Sequence, residues 1–380
     1  MAEWQQTRLG EISQIYSGFA FRSRDLGEAG IPIVKIGNIQ NKRVSPECAD
    51  HLPEELCIEK LNRYFLQQGD TLIAMTGAGS VGKVGKMPRV DGRFLVNQRV
   101  AIVRPEDSRC DPAFVYFVLS QDYYETKLYG LGLGAGQPNV SAKQIGELEI
   151  PFPPLPVQRR IAGILSAYDE LMENSQRRIR LLEAMARALY RERFVHFRFP
   201  GHEKLPRVAF PLGDIPQGWE VKPLSQLCSR MESGGTPKRK TAEYWEGGDI
   251  DWFKTGERWG GFLFASEEKI TGRGQRESNA RLFEPGTIFM AICGSPTVGR
   301  LGIVTRPSSC NQAALGVVAD REQISQTLLY FVLLSLRGHF KGLAQGAAQQ
   351  NISKEKVAST VALVPPRSLV APFDRRRADV

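Results

Sequence analysis

The chain has 380 residues, 42% of them hydrophobic and 24% charged, enough apolar material for about two or three compact domains and too much for disorder throughout. Lys and Arg outnumber Asp and Glu by 50 to 41, a formal charge of +9, which favours an anionic partner through counterion release. No run approaches the roughly 18 apolar residues of a membrane helix, and the opening residues form no secretory core, so a soluble cytoplasmic protein is expected.

In chain order, Trp4, Leu9 and Ile12 lead to a Ser17-Gly18 turn. The stretch Gly69-Asp70-Thr71-Leu72-Ile73-Ala74-Met75 reads as a strand entering a glycine-rich loop, Gly77-Ala78-Gly79-Ser80-Val81-Gly82-Lys83-Val84. That loop nearly spells a phosphate-binding loop, and a nucleotide-binding enzyme using Lys83 is the rival reading. A true P-loop needs Ser or Thr after the lysine to ligate Mg²⁺ and a helix N-terminus aimed at the phosphates. Val84 cannot ligate, and Val84-Gly85-Lys86-Met87-Pro88 starts a helix poorly. A turn that brings backbone and a lysine to a DNA phosphate fits better. Next come Asn97-Gln98 ahead of Val100-Ala101-Ile102-Val103, a helical segment with Tyr116-Phe117-Val118-Leu119, a second glycine-rich loop, the Asn139-Val140-Ser141 turn and an apolar strand ending in Pro153-Pro154.

The most regular segment follows. Ile161, Leu165, Tyr168, Met172, Ser175, Ile179, Leu182, Ala186 and Leu189 alternate spacings of four and three, the seam of a helix that packs on another helix. It starts after Pro156 and fades near Phe194, a length of roughly 55 to 60 Å. The plainer reading is a surface helix lying along its own domain.

The landmarks then return in the same order at an offset of 212 to 217 residues: Trp219, Leu224, Leu227 and Ser233-Gly234; Gly286-Thr287-Ile288-Phe289-Met290-Ala291; Asn311-Gln312 before Leu315-Gly316-Val317-Val318; Tyr330-Phe331-Val332-Leu333; Asn351-Ile352-Ser353; and Pro365-Pro366. So long a period makes the repeating unit a whole domain of mixed α/β type. The expected division is a first domain at 1–154, a helical segment at 155–199, a second domain at 200–366 and a short tail at 367–380.

Basic residues gather in or beside predicted loops: Lys35, Lys42, Arg43, Lys83, Lys86, Arg89 and Arg93 in the first half, and Lys238, Arg239, Lys240, Lys254, Arg258, Arg273, Arg276 and Arg300 in the second. Arg reads guanine bidentately, whereas Lys more often holds phosphate. Tyr244, Trp245, Trp252, Phe253 and Trp259 interleave with the second set, and their apolar surroundings favour core packing over stacking on bases. The six cysteines form no CxxC pair, and His51, His196, His202 and His339 stand at neither metal nor triad spacing. No catalytic residues, no metal site and no cofactor are assigned to the chain.

In this order the landmarks resemble the specificity subunit of type I restriction-modification systems. The resemblance rests on the paired strands Gly69-Asp70-Thr71-Leu72 and Pro285-Gly286-Thr287-Ile288 with their Gly-Ser loops, the two Asn-Gln dipeptides and the run Ile150-Pro151-Phe152-Pro153-Pro154-Leu155-Pro156-Val157-Gln158-Arg159-Arg160-Ile161. It implies two target-recognition domains, each reading one half of a split double-stranded DNA sequence, held apart by helices that recruit modification (methyltransferase) subunits and restriction (translocase and nuclease) subunits. S-adenosylmethionine, ATP and Mg²⁺ are implied on those partners. The seam residues Ile161, Leu165, Tyr168, Met172, Ile179, Leu182 and Leu189 would then face a partner helix. The family is expected to supply a second long helix after Pro365-Pro366, whereas Arg367-Ser368-Leu369 leads only to Phe373-Asp374-Arg375-Arg376-Arg377 and Val380. The second helix is therefore expected to be missing, and a disrupted, inactive copy is a further alternative.

Overall fold

The computed structural model describes residues 4–88, 91–105, 108, 110–133, 137–210, 213–257, 259–344 and 351–378. The chain forms two compact units, Met1–Arg177 and Arg178–Val380.

In the first unit, strand Val100–Pro105 lies between Ser13–Ser17 and Thr71–Ala74, and Val84–Lys86 continues the sheet beyond Thr71–Ala74 to Arg43–Val44 and Ile39–Gln40. A three-stranded sheet sets Ile31–Val34 between His51–Leu52 and Leu95–Val96. A ribbon of Gln6–Arg8 and Glu149–Pro151 ties the ends of the unit together. The second unit repeats the plan with one strand fewer in its main sheet. Cys228–Ser233, Ala314–Ala319, Ile288–Ala291, Leu301–Val304 and Phe262–Leu263 make its main sheet, Glu268–Ile270, Ile250–Phe253 and Ser308–Cys310 its small one, and Glu220–Pro223 with Val361–Val364 its ribbon.

The continuous apolar runs in the two central strands follow from burial on both faces. Ile73, Ala101 and Val103 meet a helical layer, Pro112–Leu119 and Ala142–Gly146, while Leu72, Ala74, Val100 and Ile102 meet the loops and short strands on the other face. In the second unit Ile288, Met290, Leu315 and Val317 face one core, and Phe289, Ala291 and Ala314 the other. The Asn-x-Ser turns are helix starts: Ser141 accepts from the Gln144 amide at 3.2 Å and Ser353 from that of Lys356 at 3.3 Å. The expected glycine-rich loops before them fall partly at 134–136 and 345–350, outside the described residues.

The glycine-rich loop at 77–84 is the bend of a β-hairpin. After Lys83 the chain enters strand Val84–Lys86, antiparallel to Thr71–Ala74. No helix N-terminus follows the lysine, and this overturns the nucleotide-binding alternative.

The long helix runs over Leu155–Tyr190 and ends in a π-turn, Arg191–Val195. Ile161 and Ala162 pack on the core of the first unit, and Ala186, Leu189, Tyr190 and Phe194 on that of the second. Between these ends Leu165, Tyr168, Met172 and Ile179 are 39, 64, 50 and 56% exposed, and Leu182 is half-buried.

The tail is not a mere remnant. Arg367–Ala378 is helical and starts after Pro365-Pro366 as the long helix starts after Pro153-Pro154. Phe373 is buried against Phe194 and Phe331, taking the place that Ile161 has in the first unit. At 12 residues this helix is a third as long as the 36-residue helix of the first unit, and it is helical where a short tail was expected.

A buried ion pair ties the main sheet of the first unit. Arg104 Nε and Nη2 donate to Asp70 at 2.8 and 2.7 Å, and Nη2 also donates to the Phe65 carbonyl at 3.0 Å. The Asp70 side chain is 2% exposed. Arg104→Ala would leave a buried, unpaired carboxylate and is expected to cost about 3–5 kcal/mol. Urea unfolding measures this as a lower midpoint for the first unit.

Candidate nucleic-acid interface

Three loops meet at one end of each main sheet. In the hairpin loop of the first unit, Ser80 and Val81 amides donate to the Gly77 carbonyl at 3.0 Å and the Gly82 amide to Ala74 at 3.0 Å. In the second, Thr297 and Val298 donate to Gly294 and Gly299 to Ala291, each at 2.9 Å. Gly77, Gly82, Gly294 and Gly299 have φ of +102°, +84°, +91° and +75°, a region that favours glycine. The Asn-Gln turns lie alongside: the Met75 amide donates to Arg99 and that of Ile292 to Ala313. The Asn-x-Ser turns close the cluster through the amides of Val140, to Met75, and Ile352, to Ile292.

Lys83 and Arg300 occupy matching positions just after Gly82 and Gly299. Both are half-buried, and neither side chain has an ion pair or hydrogen bond among the described residues. Gln98 and Gln312 also match, and both are exposed.

A second matching pair lies beside them. Lys35 Nζ donates to Asp50 at 2.5 Å and Lys254 Nζ to Glu268 at 2.7 Å. The Lys35 amide donates to Asn38 Oδ1 at 2.9 Å and the Lys254 amide to Glu257 Oε1 at 2.8 Å. These Lys-x-Gly-Asn/Glu turns adjoin the Asn-Gln turns, because the Asn97 amide donates to Val34 and that of Asn311 to Phe253. Hydrogen bonds from Lys254 and then Arg239 hold the Glu268 carboxyl below its ordinary value. Burial pushes Glu257 up. Sequence reading singled out both lysines but not their correspondence, since they stand further apart than the 212–217 window. The repeated Lys-x-Gly was the available signal.

Most other basic candidates are engaged within the protein. Lys42, on a tight turn with φ of +63°, donates to Asp122 at 2.7 Å and Glu125 at 3.3 Å, and Arg43 pairs with Glu173 at 2.9 Å. Lys86 lies over Tyr116 and Phe117 at 4.7 and 5.4 Å, and Arg93, exposed, lies 4.0 Å over Phe65. Arg273 pairs with Glu243 and Glu277, and Lys254 also reaches Glu267 at 3.1 Å. Arg239 pairs with Glu268 and lies over Trp245 and Trp252. Lys238, Lys240 and Arg276 are exposed without an ion pair among the described residues. Arg89 and Arg258 lie outside the described residues. Trp252, Phe253 and Trp259 are buried, while Tyr244 and Trp245 are half-buried. Among the described residues no group of three metal-ligating side chains occurs, and no helix is long and apolar enough to cross a membrane.

Two copies of one frame, each presenting cations and amides at the same end of a sheet, define a tandem-domain binding protein. The chain belongs to the family of type I restriction modification DNA specificity domains, whose model matches residues 1–184 and again 216–367. It is similar to a putative type I restriction enzyme specificity subunit, MjaX, of Methanocaldococcus jannaschii, at 21% identity over 371 residues, 96% of this chain and 83% of that one. It is likewise similar to the HindI specificity subunit of Haemophilus influenzae, at 20% identity over 99% of this chain and 93% of that one. The crystal structure of a type I S subunit from M. genitalium shares the fold, with a TM-score of 0.64 at 16% identity over 99% of this chain and 91% of that chain. The chain is therefore a non-catalytic DNA specificity subunit.

Lys83→Ala and Arg300→Ala are expected to weaken DNA binding by the assembled complex equally for all sequences. Each would lower the slope of log affinity against log salt by about 0.9, the share of one phosphate. Binding titrations across a salt series check this.

Proposed function

We propose that the chain recognises a bipartite double-stranded DNA target, one half per unit, with Lys83 and Arg300 on the backbone. The observation that carries this reading is the duplication of the loop cluster. Two equivalent frames on one chain suit two half-sites, and a loop end on a rigid sheet is where contacts can vary without disturbing the core. Mapping methylated positions in DNA from cells that express the chain with its modification subunit tests it. The expected result is two short defined sequences separated by an undefined spacer; a single undivided site would reject the reading.

The same proposal gives the exposed middle of the long helix to modification subunits, which would carry S-adenosylmethionine, while restriction subunits would bring ATP and Mg²⁺. Leu165, Tyr168, Met172 and Ile179 form an apolar stripe whose burial is worth roughly 1.5–3 kcal/mol per side chain. Leaving it in water disfavours the free chain and favours a helical partner. Met172→Glu with Ile179→Glu is expected to weaken assembly by about 100-fold or more, with unfolding of the free chain unchanged. Light scattering of the mixed subunits and urea unfolding read the two effects separately.

A further inference from the structure

The duplicated frame divides the cations into two kinds. Groups that the two units share cannot by themselves distinguish two different half-sites, whereas groups present in one unit can. Arg239 belongs to the second kind, yet it is built onto the shared frame. Glu268, which holds the shared Lys254, also accepts from Arg239 Nη1. In the first unit, the matching Asp50 pairs with Lys35 alone among the described residues. Thr236, three residues before Arg239, donates to Gln312 of the Asn-Gln turn. The segment bearing Arg239 therefore adjoins the loop cluster.

The guanidinium is held by two rings as well as by the carboxylate. It lies 3.9 Å from the ring centre of Trp245 and 4.8 Å from that of Trp252. The two indoles stand perpendicular, 5.1 Å apart. Each indole is pinned to the segment that carries the arginine: Trp252 Nε1 donates to the Gly235 carbonyl at 2.8 Å and Trp245 Nε1 to that of Lys238 at 3.2 Å. Half of the Arg239 side chain remains exposed. Holding a phosphate needs a charge in reach, whereas reading a base edge needs a planar fork held at a set angle. In the major groove, the acceptors that match the fork are guanine O6 and N7.

We infer that Arg239 is a specificity-determining residue that reads a guanine in the half-site taken by the second unit. This rests on the reading that each unit takes one half of a split target.

The test compares methylated-site maps for the wild-type chain, Arg239→Gln and Arg239→Lys, each expressed in full with its modification subunit. Preference for one G·C pair in one half-site is expected to fall by roughly 5- to 150-fold in both variants, the value of one bidentate contact, while the other half-site keeps its stringency. A second-unit half-site without a G·C pair, an unchanged motif, relaxation of both halves, or weaker methylation with the same motif would each overturn the inference. Loss of all methylation by Gln with relaxation by Lys would support it, whereas loss by both with unchanged urea unfolding would count against it. Should Gln unfold the chain, Lys, which keeps charge and stem but lacks the fork, decides alone; should both unfold it, Arg239 is a structural residue and the inference falls. If the wild-type chain directs no methylation at a split sequence, the functional reading fails, and the role of Arg239 with it.

Discussion

Burial of two adjacent strands on both faces is the constraint from which the rest of each unit follows. Thr71–Ala74 and Val100–Val103 in the first unit, and Ile288–Ala291 and Ala314–Val317 in the second, leave almost no side chain free for solvent or ligand. A sheet so enclosed can offer contacts only at its strand ends and edges. The hairpin loop, the Asn-Gln turn and the Asn-x-Ser cap all sit at one such end, bonded to each other through backbone amides. Their geometry is therefore set by the core, and their side chains are free to differ.

That arrangement explains why the repeat was legible in the sequence and the site was not. Doubly buried strands need unbroken apolar runs, and the loops between them need glycine at positive φ, so Leu72-Ile73-Ala74 and Gly82, or Ile288-Phe289-Met290 and Gly299, announce themselves. The long helix was legible from its heptad spacing, although Leu165, Tyr168, Met172 and Ile179 are exposed in the chain alone. A lone basic residue carries no such pattern. Lys42 and Arg43 look like any exposed loop cations, yet the fold brings Asp122, Glu125 and Glu173 to them from distant positions. The pairs Lys35–Asp50 and Lys254–Glu268 depend on strand register, which composition does not encode. That the short tail is itself helical was not legible, because its one apolar anchor, Phe373, makes no heptad pattern.

Comparison of the units also separates support from discrimination within a single chain. Both retain the lysine–acid pair, the capped turn beneath it and the cation after the hairpin glycine. The first unit adds the buried Asp70–Arg104 bridge, and the second adds the two indoles around Arg239. Additions of this kind are tolerated because they attach to a frame whose backbone bonds are complete without them.

The exposed middle of the long helix has an energetic consequence of its own. Its ends are clamped by packed cores, but the turns around Met172 and Ser175 rely on helix hydrogen bonds and a few side-chain ties such as Arg43–Glu173. Helical segments without tertiary cover open locally at little cost. Within this helix those turns are thus expected to open and exchange their amide protons sooner than the clamped ends, and a protein that covered the stripe would slow that exchange, so assembly would register as stiffening in the centre of a helix whose two ends were already rigid.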